Sequence, residues 1–215
     1  MNKQIALDEL YINLPEDIVN FINRVKLDCS RLGIDIQAYR YGDLLIDEVF
    51  VNGYFSDEEK ILAFSVKEDD MGWLGILVHE YGHMLQWANR RKFWNSCTRY
   101  HSDLWYWMDG RNYSNKKLTR SLKGNIMIEW DNEKQSVNLI NKFGLNKHID
   151  VEQYTQRATA YVLFYHIVRT TKKFYDKGHE PYNLPEIYEK MPKAFNVDLL
   201  NPPSELLDVL RKVYC

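Results

Sequence analysis

Residues 71–88 constrain this chain more than any other stretch. Met71 to Val78 is apolar, and Met84, Leu85, Trp87 and Ala88 carry that character past two histidines and a glutamate. A helix that is apolar on most of its surface must be buried, and buried ionisable side chains need partners. His79 and His83 are four residues apart, so an α-helix puts both rings on one face, one turn apart. Two imidazoles so placed can reach a single metal ion at roughly 2.0–2.1 Å. With Glu80 they spell His-Glu-x-x-His, a helical zinc-binding pattern in which the glutamate acts as a general base. In a chain of this composition chance supplies such a pattern about 0.01 times. The reading weighed against it is a surface helix with two solvated histidines.

Elements around this helix follow from local pattern. Leu14-Pro15-Glu16-Asp17 opens a helix, with Pro and acids in its first turn, and Gly33 ends it. Residues 34–39 alternate as a strand, 47–55 form a second strand with a bulge or turn at Asn52-Gly53, and 60–67 a third. Glu68-Asp69-Asp70 is placed to cap the motif helix. Residues 93–108 are rich in Trp and Tyr, and read as core packing or the wall of a cleft. Helices are expected over residues 125–140 and from Asp150 through Tyr175. Two shorter ones fall near 184–191 and 204–213, set off by Pro192 and Pro202-Pro203. The fold class is thus α+β: a small three-stranded sheet packed on the metal-binding helix, then a mostly helical C-terminal half. We read one domain over 1–215, with residues 1–90 as sheet plus motif helix and 91–215 as a helical lobe.

Composition narrows the function classes. The net charge of −2 points neither to nucleic acid nor to an anionic membrane. Lys116, Lys117, Arg120 and Lys123 read as a solvated basic face. Three cysteines without close spacing argue against a disulfide framework and a thiolate metal site. The first residues lack the apolar core of a signal peptide, and no stretch is apolar enough to span a bilayer, so a cytoplasmic protein is expected.

A catalytic zinc takes three protein ligands and one open position. The extended pattern with a third histidine is absent, because Asn89 stands in its place. The third ligand is therefore sought downstream. Glu133 is preferred, because Ser136, Leu139 and Ile140 give it a small, apolar flank for packing. Glu129 is the alternative, and His101, His148 and His166 share the remainder. Whichever glutamate is not the ligand could orient His79 or His83.

The His79-Glu80-x-x-His83 helix, flanked by strands and followed by a helix bearing Glu133, resembles the gluzincin division of zinc metallopeptidases. More narrowly, it is similar to the small metallopeptidase-like proteins encoded by phages and bacteria. The likeness covers roughly residues 34–143. It implies a zincin-like fold, a Zn²⁺ ion, and hydrolysis of a protein or peptide substrate with Glu80 as base. It also implies an oxyanion donor from a later helix, for which Tyr161, Tyr165 and His166 are candidates. The competing expectation is a metal-stabilised interaction protein without turnover, such as an inhibitor of a host factor. A third is a hydrolase of non-peptide amides or esters.

Overall fold

A computed structural model describes residues 3–11, 14–40, 44–46, 49–66 and 72–215. The protein is α+β and divides into two compact units. The first comprises Met1–Arg90 with Gln135–Ile149, the second Arg91–Lys134 with Asp150–Cys215.

In the first unit, β1 (Lys3–Ile5), β2 (Asp35–Arg40), β5 (Gly53–Ser56) and β6 (Ile61–Val66) form one sheet in the order β1-β2-β6-β5. The pairing is mixed: β2 runs parallel to β6, while β1 and β5 are antiparallel to their neighbours. Strands β3 (Leu44–Ile46) and β4 (Val49–Val51) pair separately. The three-stranded sheet expected from sequence is therefore a four-stranded one. Three residues of β1 are too few to show an alternating pattern. The single strand expected over 47–55 breaks at Asn52 into β4 and β5, which belong to different sheets. The expected cap at Glu68-Asp69-Asp70 lies outside the described residues.

Helix α1 (Glu16–Leu32) follows Pro15, carries Glu16 and Asp17 in its first turn, and stops at Gly33. Gly33 has φ 66°, a left-handed conformation that costs glycine nothing, and its N–H caps the carbonyls of Cys29 and Ser30. Helix α2 (Gly72–Asn89) contains the motif and packs on β5 and β6. It is buried on nearly every side: Trp73, Leu74, Leu77, Val78, Tyr81, Met84 and Trp87 are all inaccessible or nearly so.

The second unit contains α3 (Arg91–Thr98), α4 (His101–Met108), α6 (Val151–Thr171), α7 (Pro185–Tyr188) and α8 (Ser204–Tyr214). Helix α5 (Asn115–Lys142) is ten residues longer at its start than the sequence pattern suggested, and its residues fall in both units. Asp150 caps α6 by accepting from the Gln153 N–H. Phe164 of α6 packs edge-on against Tyr175 and Tyr214 and stacks with Phe174. Among the described residues, no helix is long and apolar enough to cross a membrane.

Candidate metal centre

Helical periodicity gives α2 three working faces. Tyr81 and Met84 point to α1: the Tyr81 hydroxyl donates to Asp28 Oδ2 at 2.6 Å, and Cys29 Sγ lies 3.5 Å from Met84 Sδ. Arg24 Nε holds the same Asp28 oxygen at 2.7 Å. Ile76 and Glu80 face β5 at Gly53. A Cβ on Gly53 would stand 2.6 Å from Ile76 Cγ2 and 3.1 Å from Glu80 Cγ. Glycine is thus required there so that the strand backbone can come up against the Glu80 side chain. Sequence reading took this glycine for a bulge or turn.

The third face carries the histidines. His79 Nε2 and His83 Nε2 are 3.1 Å apart, with the rings nearly perpendicular at 85°. His83 is buried and Glu80 is 7% exposed. His83 Nδ1 lies 3.0 Å from Gln86 Oε1, and Gln86 is fully buried. A carboxamide oxygen can only accept, so with it facing the ring His83 carries its proton on Nδ1. The Nε2 lone pair is then left aimed toward His79. Gln86 went unnoticed in the sequence. Its signal was a polar residue one turn beyond His83, inside a run that is otherwise apolar.

Both candidate acids sit on α5 and both are buried, Glu129 at 7% and Glu133 at 4% exposure. Glu133 Oε2 accepts a hydrogen bond from the Tyr154 hydroxyl at 2.6 Å. Among the described residues, the group whose ligand atoms all lie within 4.8 Å of one another is His79, His83 and Glu129. Glu133 is not in that group.

The remaining candidates divide. Tyr161 and Tyr165 are side by side on α6, hydroxyls 3.4 Å apart. Burial first, and then the nearby Glu129 carboxylate, raise both phenols well above their ordinary pKa. His166 turns elsewhere, its Nε2 donating to the Leu199 carbonyl at 2.8 Å. His101 Nε2 accepts from the Trp105 indole at 3.2 Å, and His148 Nε2 sits 3.0 Å from Asp17 Oδ1.

Comparisons of the chain with protein-family models, with curated proteins and with solved structures find no match.

Proposed function

We propose that this protein is a zinc-dependent metallopeptidase with a zincin-like core, hydrolysing peptide bonds in a protein or peptide substrate. The observation that carries the reading is the 3.1 Å between the two Nε2 atoms. Two imidazoles on one tetrahedral zinc place their nitrogens about 3.3 Å apart, from bond lengths near 2.05 Å. The proton that Gln86 keeps on Nδ1 supports the same reading, because a ligating imidazole needs its other nitrogen protonated and oriented. Two imidazoles and one carboxylate are also the donor set of a catalytic zinc, with a position left for water.

Glu129 is proposed as the third ligand because it clusters with the histidines. Glu133, engaged by Tyr154, is proposed to support from outside the ligand set. When bound, the ion would acidify water and polarise a carbonyl. The residues of the chain do the rest. Glu80, held against the Gly53 backbone, takes a proton from the attacking water and returns it to the leaving amine nitrogen. Tyr161 and Tyr165, whose phenols burial holds above their ordinary pKa, keep their protons and are the proposed donors for a developing oxyanion.

A peptide-library cleavage assay tests the proposal. The expected result is cleavage that stops with a chelator and returns with added zinc. No cleavage by a zinc-loaded chain, or cleavage indifferent to chelation, would overturn it.

A further inference from the structure

The second unit carries a surface unlike the rest of the chain. Between Arg91 and Lys123 there are eight Lys and Arg against two Asp, in a protein whose net charge is −2. All eight of these cations are exposed. On α5, Lys116, Arg120 and Lys123 recur at i, i+4 and i+7, so they form a stripe along one helical face. Leu118, Leu122 and Ile126 occupy the opposite, buried face.

Close packing sets the end of α3 and Tyr100 beside this stripe. A Cβ on Gly124 would meet the Cys97 carbonyl oxygen at 2.5 Å, so α5 touches backbone at the end of α3. Ser121 Oγ donates to the Tyr100 carbonyl at 2.6 Å. The result is a ribbon of cations laid on rings. The Arg120 and Arg99 guanidiniums lie 4.9 and 5.5 Å from the Tyr100 ring centre, and Arg120 also donates to the Tyr100 hydroxyl at 3.1 Å. Farther along, Lys117 covers Tyr113 at 5.7 Å, and Arg111 stacks on Tyr106 at 4.0 Å. Among the described residues, Arg99, Arg111, Lys117 and Arg120 are in no ion pair. Their charge is therefore not neutralised within the fold.

We propose that this face binds single-stranded nucleic acid, DNA or RNA. Phosphates meet the Lys116–Arg120–Lys123 stripe, and bases stack on the guanidinium–tyrosine layers at Tyr100 and Tyr106. Interleaved cations and aromatic rings are the chemistry of a strand that offers both charge and unpaired base faces. A membrane surface fits less well, since it rewards large apolar side chains that can enter the lipid. Here the exposed residues between the cations from Arg111 to Lys123 are Asn112, Ser114, Asn115 and Thr119, and Tyr106 is the one large exposed apolar side chain between Arg91 and Lys123. The sequence alone presented the same residues as a solvated cluster, because the Tyr100 ring that carries Arg120 comes from twenty positions away.

The test is fluorescence anisotropy of the full chain with labelled 20-nucleotide single-stranded DNA and RNA. A matching duplex and vesicles with anionic lipid serve as comparison arms. Four neutralised phosphates would give a log–log salt slope near −3, or about a 50-fold loss of affinity between 50 and 200 mM salt. Lys117→Glu with Arg120→Glu should weaken binding at least about 10-fold and flatten that slope. Tyr100→Leu should weaken it about 5- to 100-fold and leave the slope unchanged, because it removes stacking and no charge. Lys190→Glu with Lys212→Glu, exposed cations elsewhere, should change nothing. No single-strand binding at 50 mM salt would overturn the proposal. So would tighter binding to duplex or vesicles, or binding by the wild type with no salt dependence.

Discussion

Helices α2 and α6 are both buried almost all round, and both carry polar side chains inside, but they use them differently. On α6 the buried threonines and glutamine spend their hydrogen bonds on backbone. Thr155 and Thr159 donate to the carbonyls one turn earlier, and the Gln156 amide donates to the carbonyls of Glu189 and Met191. The Gln156 bonds tie α6 to the segment after α7. On α2, His79 and His83 point their nitrogens at each other, and Gln86 is committed to holding one of them. Buried polar groups that serve the fold close on carbonyls, whereas those proposed to serve chemistry face a common point.

The sharpest way to break this contrast is Glu80→Gln. On the account given, it keeps the metal and lowers peptide hydrolysis by at least about 10²- to 10⁴-fold, the usual contribution of a general base. An active variant would move Glu80 to the fold-serving class. Next, Gln86→Leu should lower zinc affinity about 10- to 100-fold, read by competition with a chelating dye. Its counterpart on α6, Gln156→Leu, should leave zinc affinity unchanged. It should instead lower unfolding free energy by about 1–3 kcal/mol in urea, since two carbonyls lose their donor.

Gly53→Ala should cost about 1–3 kcal/mol by overpacking against Ile76 and Glu80. It should also lower kcat in protein that remains folded, because the displaced side chain is the proposed base. A last effect, confined to a window of pH, concerns the α1 face of α2. Burial raises the Asp28 pKa, but the Tyr81 phenol and Arg24 guanidinium more than offset it, leaving the carboxyl below its ordinary 3.8. A carboxyl depressed in the folded state adds stability above its unfolded pKa, and that addition is lost as pH falls through the folded value. Asp28→Asn should therefore be less stable than wild type at pH 7 by about 1.5–3 kcal/mol. The gap should close below about pH 4.

The same contrast explains what could be read without a structure. The spacing of His79 and His83 and the apolar run around them announced a buried helix with two rings on one face. The limits of α1 were legible from Pro15 and Gly33, and the start of α6 from Asp150; its end at Thr171, expected at Tyr175, was not, because Lys172 takes the left-handed conformation without being a glycine. The choice between Glu129 and Glu133 was not. Spacing treats the two alike, one turn apart on one helix, and the small, apolar flank of Ser136, Leu139 and Ile140 favoured Glu133. What separates them is a hydrogen bond from Tyr154, 21 residues away, to Glu133. Gln86 and Gly53 matter through a ring nitrogen and a strand backbone that no local pattern reports. The start of α5 was missed because its first turns are cationic on the exposed face, with only Leu118 and Leu122 marking the buried one.

Elemental analysis of the purified chain, dialysed after loading with zinc, tests the central claim most directly. The account predicts about one zinc per chain in the wild type and none retained by His79→Ala with His83→Ala, at unchanged helical content. A folded wild type that retains no zinc, or a double variant that keeps a full equivalent, would contradict it.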